Sequence, residues 1–271
     1  MYDTLIIGSG GNKAYYYLGF LYVLMNKDYY HNIERFVGVS VGSIISLLLI
    51  CNYNIMEILE NFIDINIIDI NNININNLFT KFALFNKEAI FNKLISMIKD
   101  KFGKRLTLDQ LHKSTGKTLC IVTTDYTNKK EQIIDKDSFP DMDCVEAVMK
   151  SIIIPGIFPY EEYKGNIYID GVLSMAYPSI LFDNGTSDIL CVHVSYSNNS
   201  NTNNENILDY LSNSFDIMIN QIKNIAIKNK TDRCKIVLIP CDISDILGIN
   251  SSIDNKSKMF LTGYNTAQSN L

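Results

Sequence analysis

The stretch VGVSVGSIISLLLIC, residues 37–51, places a Gly-Val-Ser-Val-Gly turn between two apolar runs. The glycines Gly38 and Gly42 permit a backbone turn that is too tight for larger residues. Ser40, at the centre of the turn, is a poor core residue unless another group pairs with it. The pattern matches G-x-S-x-G, the nucleophile elbow, in which a sharp strand-to-helix turn presents a serine hydroxyl above a sheet. The alternative is an ordinary strand–helix turn whose serine caps the helix.

Strand and helix patterns alternate along the chain on both sides of this stretch. Apolar runs and helical periodicity predict strands at residues 4–8, 34–39, 118–124, 166–169, 189–194 and 235–239, and helices at 15–27, 41–51, 86–101, 143–152, 206–228 and 253–267. Strands followed by helices in this way predict parallel βαβ units that are covered on both faces. We therefore predict one α/β domain over residues 1–271, with its motifs in 4–182 and a C-terminal strand and helix part in 183–271.

Composition narrows the class of protein. The chain has 271 residues, a net charge of −5 and six scattered cysteines without a C-x-x-C pair. An acidic chain argues against a nucleic-acid partner, and isolated cysteines in apolar runs are typical of buried thiols in a reducing compartment. The start of the sequence lacks a basic segment, and no apolar run approaches the ~20 residues that span a bilayer. These features predict a cytoplasmic protein without a transmembrane segment, and they carry no indication of oligomeric state.

A serine nucleophile needs donors for the oxyanion and a base for its proton. The segment GSGGNKA, residues 8–14, follows the first strand and precedes a helix, so its backbone N–H groups form a candidate anion site. A dinucleotide-binding loop, G-x-G-x-x-G, is a second interpretation, but Lys13 stands where that motif has its third glycine. The G-K-[ST] ending of a Walker loop is missing.

Two residues are candidates for the base. Asp170, in NIYIDGV, ends a predicted strand and precedes Gly171, although an ordinary Asp-Gly turn has the same sequence. His193 lies in the buried-strand pattern ILCVHVSY, and the order Ser40, Asp170, His193 is that of the α/β-hydrolase triad. The other two histidines, His31 and His112, lie outside these motifs.

Taken together, the motifs resemble those of the patatin-like phospholipase family, which is related to the cytosolic phospholipase A2 catalytic domain. The segments that carry the resemblance are SGGNKA (9–14), GVSVG (38–42), SIIIPGIFPY (151–160), DGV (170–172) and LTGYNTAQ (261–268). They occur in the family's order across most of the chain. Three positions depart from the pattern: Ser9 and Ala14 replace glycines, and Val172 stands where Gly or Ala is usual.

The resemblance implies a three-layer α/β/α fold with a mostly parallel central sheet. It further implies a serine acyl hydrolase that cleaves ester bonds of phospholipids or other long-chain acyl lipids through an acyl-enzyme. In such an enzyme Ser40 is the nucleophile, Asp170 is the base in a dyad without histidine, and the N–H groups of Gly10 and Gly11 bind the oxyanion. No metal or cofactor is implied, and the partner is a lipid or membrane-surface substrate, which a cytoplasmic protein reaches by binding peripherally at membranes.

Other interpretations of the same residues stay open. Lys13 either contacts a lipid phosphate, as the resemblance suggests, or is a solvated charge at a helix start. The whole chain is alternatively a catalytically inactive lipid-binding relative, a Ser–Asp–His esterase that uses His193, or a nucleotide-binding protein. The Ile/Asn near-repeat at residues 63–77 is a surface insertion or a lipid-facing flap, and the Asn-rich segment 197–206 is predicted to be a loop.

Overall fold

The computed structural model describes residues 1–62, 82–196, 207–241 and 252–271. The near-repeat at 63–77 and the Asn-rich segment 197–206 lie outside the described residues. The strands are β1 Thr4–Ile7, β2 Arg35–Val39, β3 Thr118–Asp125, β4 Lys130–Ile134, β5 Glu161–Tyr163, β6 Asn166–Asp170, β7 Ile189–Tyr196 and β8 Cys234–Cys241. The α-helices are α1 Ala14–Leu24, α2 Val41–Ile50, α3 Ile55–Phe62, α4 Glu88–Phe102, α5 Leu108–Thr115, α6 Cys144–Ser151, α7 Val172–Met175, α8 Ser179–Phe182, α9 Ile207–Asn229 and α10 Ile253–Asn270.

The eight strands form one sheet in the order β5-β6-β3-β2-β1-β7-β8, and β4 pairs with β3 outside this path. Strands β3, β2, β1, β7 and β8 run parallel to one another. Strands β4, β5 and β6 pair antiparallel. The sheet is therefore mostly parallel, as the βαβ pattern predicts, with an antiparallel extension beside β3.

Helices cover both faces of this sheet. Alternate residues of β1 separate the two sides, because Leu5 and Ile7 join the larger core with α1, α2, α4, α5, α6 and α10, whereas Ile6 joins a smaller one. The smaller core is closed by α7 and α8, and α9 packs on α7 through a third apolar cluster. The predicted three-layer α/β/α arrangement is confirmed.

Strand β3 organises the antiparallel extension. Its residues 121–125 pair with β4, residues 118–122 pair with β2, and residues 123–125 pair with β6. A strand has two edges, and β4 occupies one of them along 121–125. Strands β2 and β6 therefore share the other edge, one behind the other.

The C-terminal ends of β2 and β6 consequently point at each other. Val39 pairs with Val122, and Asp170 pairs with Thr123, the next residue of β3. Ser40 follows Val39 directly. This arrangement brings Ser40 beside Asp170, although 130 positions separate them in the sequence.

Helices α1 and α10 cross at two glycines. A Cβ atom added to Gly19 would lie 1.9 Å from the Phe260 carbonyl oxygen, and one added to Gly263 would lie 1.9 Å from the Tyr16 carbonyl oxygen. Backbone therefore meets backbone on both sides of the crossing. This contact fixes α10, the last helix of the chain, against α1, which follows the glycine-rich loop.

We expect Gly263→Ala to lower the free energy of unfolding by about 2–4 kcal/mol, since the methyl group forces the two helix backbones apart. Urea denaturation of the variant measures the effect. Asn265→Ala, at an exposed site two residues further along α10, is the matched control, and its effect should stay within about 0.5 kcal/mol. Equal stability of the two variants would contradict the close crossing.

All six cysteines are buried and free, which confirms their prediction as core thiols. In the portion of the chain that the structure describes, helices of sufficient length and apolarity to cross a membrane are absent. Over the same residues, three or more metal-ligating side chains do not gather at one point.

Candidate active site

Ser40 occupies a strained turn between β2 and α2. Its backbone has φ 54° and ψ −127°, a left-handed φ that costs energy for a residue with a side chain. A Cβ atom on Gly38 would lie 2.3 Å from Ser43 Cα, and one on Gly42 would lie 2.2 Å from the Ile7 carbonyl oxygen. The two glycines are therefore required by close backbone contacts, as the G-x-S-x-G pattern predicts. Ser40 sits at the N-terminal cap of α2, but its side chain makes no cap hydrogen bond.

The Ser40 hydroxyl points instead at Asp170. Ser40 Oγ donates a 2.6 Å hydrogen bond to Asp170 Oδ2, and the Val172 N–H donates a 2.9 Å bond to Oδ1. Both members of this pair are buried, Asp170 completely and Ser40 with 5% of its surface exposed. Burial raises the pKa of the Asp170 carboxyl to about 7, because desolvation outweighs the two hydrogen bonds, which lower it. A carboxylate with such a pKa is a much better base than a solvated one near neutral pH.

The backbone of Asp170 is held on three sides. Its N–H donates to the Ile153 carbonyl at 2.7 Å, and its own carbonyl accepts a 2.8 Å bond from Thr124 Oγ1. A Cβ atom on Gly171 would lie 2.2 Å from the Val122 carbonyl oxygen, so the turn after Asp170 packs directly on β3. The Asp-Gly pair thus serves both a turn and the placement of a carboxylate.

Ser151, which sequence reasoning did not assign to the site, ties the elbow to the sheet. The Ser40 N–H donates to Ser151 Oγ at 2.8 Å, and this hydroxyl donates to the Val122 carbonyl at 2.6 Å. Ser151 is fully buried at the end of α6. It begins the SIIIPGIFPY segment, so the family resemblance was the one signal that could have found it.

The glycine-rich loop lies against the elbow. A Cβ atom on Gly10 would come within 3.8 Å of Val41 Cγ1, the side chain that follows Ser40. Gly11 has φ 50° and begins a short 3₁₀ turn, Gly11–Lys13. Within the described residues, the N–H groups of Gly10 and Gly11 have no hydrogen-bond acceptor. Two unpaired donors beside the turn that carries Ser40 are the arrangement that an oxyanion hole would need if Ser40 were a nucleophile.

Tyr17, which the sequence did not assign to the site, holds the glycine-rich loop through its hydroxyl group. Its hydroxyl donates to the Ser9 carbonyl at 2.7 Å and accepts from the Val194 N–H at 3.1 Å. The side chain is fully buried, and burial raises the pKa of its hydroxyl well above the usual range. Tyr17 therefore fixes the loop to β7 as a neutral hydrogen-bonding group.

His193 lies under the glycine-rich loop and makes no hydrogen bond to Ser40 or Asp170. A Cβ atom on Gly8 would lie 2.2 Å from His193 Nδ1, and the imidazole stacks on Tyr177 with ring centroids 4.1 Å apart. Burial lowers the pKa of His193 to about 3. The ring is therefore a neutral core group at ordinary pH. His31 and His112 lie at the opposite end of β2, before its first residue and in α5.

Lys13 and Val172 are the remaining residues that the sequence singled out. Lys13 is buried, with 2% of its surface exposed, so its interpretation as a solvated charge is wrong, while its contact with a lipid phosphate stays a prediction. The Val172 side chain packs in the cluster of Ala176, Tyr177 and Ala226, and its N–H bonds to Asp170. This departure from the family pattern therefore leaves the hydrogen bond to the carboxylate in place.

With this geometry established, comparison with known proteins identifies the family. The model of the patatin-like phospholipase family matches residues 5–183, which include the glycine-rich loop, the elbow and the Asp-Gly turn. The chain belongs to the patatin-like phospholipase family.

Two viral proteins are similar in sequence. "Probable lipid hydrolase 463L" of Invertebrate iridescent virus 6 is 32% identical over 177 residues, which cover 63% of this chain and 59% of that protein. Protein R571 of Acanthamoeba polyphaga mimivirus is 29% identical over 244 residues, which cover 85% of this chain and 80% of that protein.

Solved structures support the fold. VipD from Legionella pneumophila matches 99% of this chain and 66% of its own length with a TM-score of 0.60. The type III effector ExoU matches 99% of this chain and 52% of its own length with a TM-score of 0.53. Each is 15% identical to this chain. The chain therefore spans about half to two thirds of the length of these two solved structures and of the iridescent virus relative.

Proposed function

We propose that this protein is a lipid acyl hydrolase that cleaves ester bonds of phospholipids or other long-chain acyl lipids through a Ser40–Asp170 dyad. The observation that carries the proposal is the 2.6 Å hydrogen bond from Ser40 Oγ to a fully buried carboxylate with a raised pKa. Membership of a phospholipase family and the name of the iridescent virus relative support the substrate class.

The reaction follows from the positions of the groups. Asp170 Oδ2 accepts the proton of Ser40 as Oγ attacks the ester carbonyl carbon, and the N–H groups of Gly10 and Gly11 stabilise the oxyanion. Each such donor is commonly worth about 3 kcal/mol in the transition state. Collapse of the tetrahedral intermediate expels the alcohol, which takes the proton from Asp170 and leaves an acyl-enzyme.

Hydrolysis of the acyl-enzyme uses the same groups in reverse. Asp170 takes a proton from water, whose oxygen attacks the acyl carbon, and Ser40 recovers its proton as the fatty acid leaves. Every proton passes through Asp170. The dyad therefore needs no histidine, and the neutral His193 has no hydrogen bond through which to replace Asp170.

Labelling with a fluorophosphonate, followed by peptide mass spectrometry, tests the nucleophile. We expect the wild type to be labelled at Ser40 and Ser40→Ala to be unlabelled. Ser46→Ala is the matched control, because Ser46 is a buried serine on the same helix that bonds only to the Val37 carbonyl, at 3.4 Å. A folded wild type that resists labelling would favour the inactive lipid-binding relative.

We expect Ser151→Ala to lower kcat for a monomeric short-chain ester about tenfold with little change in KM. The substitution leaves the buried Ser40 N–H without its acceptor, which costs about 1–3 kcal/mol. Because this bond holds the turn that carries Ser40, its loss should disturb the position of the Ser40 hydroxyl. Ser43→Ala is the control, since Ser43 contacts the Ser40 carbonyl through both its hydroxyl, at 2.6 Å, and its N–H, at 2.9 Å, and keeps the second bond. Similar losses in both variants would show that Ser151 has no special role.

A further inference from the structure

Helix α9 presents apolar side chains to solvent. Ile217 is 66% exposed, Met218 is 49% exposed and Ile225 is 51% exposed. With 3.6 residues per turn, these three side chains and Lys228 lie within about 100° of one another around the helix axis. We call Ile217, Met218, Ile225 and Lys228 the basic–apolar face, and the exposed Lys230 follows just after the end of α9.

Residues 217–230, which end one residue after α9, are basic, whereas the chain as a whole is acidic. Residues 217–230 contain three lysines and no acidic residue, and they lie between Asp216 and Asp232, in a protein whose net charge is −5. Lys228 and Lys230 are exposed, whereas Lys223 donates to Ser195 Oγ at 3.3 Å. Lys228 therefore lies beside the exposed apolar side chains, and Lys230 follows two residues later in the chain.

The opposite side of α9 is packed next to the active site. Ile219 and Ile222 contact the cluster of Ala176 and Tyr177, which also includes Val172, the residue whose N–H bonds to Asp170. The packed side of α9 is thus opposite the basic–apolar face, whose isoleucines and methionine are exposed.

We propose that the basic–apolar face docks this protein onto an anionic lipid bilayer. Helices that lie in a membrane interface combine exposed apolar residues, which enter the acyl boundary, with lysines that attract anionic headgroups. A protein of net charge −5 is repelled by such a surface as a whole, so a local face without acidic residues selects the orientation in which α9 approaches it. The inference rests on the proposed function, because a lipid hydrolase must reach substrate in a bilayer.

Co-sedimentation of the full chain with vesicles tests the docking face. All proteins carry Ser40→Ala so that vesicle lipid is not consumed, and the vesicles contain phosphatidylcholine alone or with phosphatidylserine. We expect at least tenfold stronger partitioning onto the phosphatidylserine vesicles. Lys228→Glu/Lys230→Glu should weaken this binding by at least about tenfold, since each lysine near an anionic surface is worth about fivefold. Ile217→Ser/Ile225→Ser should weaken it by roughly tenfold or more.

Matched variants on other surfaces are the controls. Lys104→Glu/Lys258→Glu makes the same change in net charge at exposed lysines, and Ile253→Ser/Leu261→Ser removes exposed apolar side chains of α10. Partitioning of these controls should stay within about twofold of the parent. Equal losses in the face variants and the controls, or partitioning that ignores phosphatidylserine, would overturn the proposal. A self-associating parent that becomes monomeric in the face variants would instead assign the face to a second copy of this chain.

Hydrolysis of a monomeric short-chain ester by the wild type is measured separately. It depends on the dyad and not on a bilayer. If the wild type hydrolyses the ester but does not bind vesicles, only the docking proposal is contradicted. If it binds vesicles but does not hydrolyse the ester, only the proposed function is contradicted.

Discussion

Asp170→Asn is expected to lower kcat/KM for a short-chain ester by about 10⁴-fold and to suppress fluorophosphonate labelling of Ser40. The amide is nearly isosteric with the carboxyl, so it can keep the bond from the Val172 N–H. It cannot accept a proton from Ser40. Because the pKa of Asp170 is about 7, activity of the wild type should rise with pH through a single ionisation near pH 7 and then level off.

A matched carboxamide substitution nearby controls for structural damage. Asp125, at the end of β3, is 2% exposed and accepts bonds from the N–H and the side-chain amide of Asn128. Asp125→Asn therefore changes a buried carboxylate on the neighbouring strand, and it should leave kcat/KM within a few-fold of wild type. His193→Gln distinguishes the alternative base. Loss of labelling in that variant, with labelling retained in Asp170→Asn, would assign the base to His193 and remove Asp170 from the mechanism.

Most of the parallel core follows directly from the sequence, because its strands are continuous apolar runs. The strand predicted at 4–8 is β1, and the helix predicted at 143–152 is α6, whose first turn is capped by the Asp143 carboxylate. Strands β4 and β5 are not predicted from the sequence. Their sequences, KEQII and EEY, are short and largely polar, since they lie at the sheet's margin and have few side chains to bury.

In the candidate site too, a short motif is visible in the sequence, whereas contacts between distant segments are not. The sequence identifies Ser40 as a candidate nucleophile because the glycines two residues before and after it predict the turn. The pairing of Ser40 with Asp170 cannot be predicted from a local pattern, since it depends on β2 and β6 sharing one edge of β3. Family resemblance supplied that pairing as an expectation. Ser151 and Tyr17 each hold the site through two hydrogen bonds of one hydroxyl group, and a hydroxyl side chain carries no sequence signal for its partners.

Asp170→Asn is also expected to stabilise the protein at alkaline pH, by about 4 kcal/mol at pH 8.5, and to have little effect at pH 4. The pKa of Asp170 is about 7 in the folded protein and 3.8 for the free group. Between these values the folded state binds more protons than the unfolded state, so the free energy of unfolding falls as pH rises from about 4 to 7. A shift of about three pKa units corresponds to about 4 kcal/mol. Asparagine is neutral throughout and escapes this loss.

Urea denaturation at the two pH values measures this difference, and two features sharpen it. The lowered pKa of His193 weakens the fold as pH falls below about 6.5, but it does so equally in wild type and Asp170→Asn and cancels in their comparison. Ser40→Ala removes a hydrogen bond that lowers the pKa of Asp170, so its stability should fall more steeply with pH than that of the wild type. Parallel pH dependences for wild type and Asp170→Asn would mean that the carboxylate is hydrated. A wild-type stability that falls relative to that of Asp170→Asn as pH rises would instead show that the buried base costs stability in the resting protein, which is the cost expected of a group placed for proton transfer.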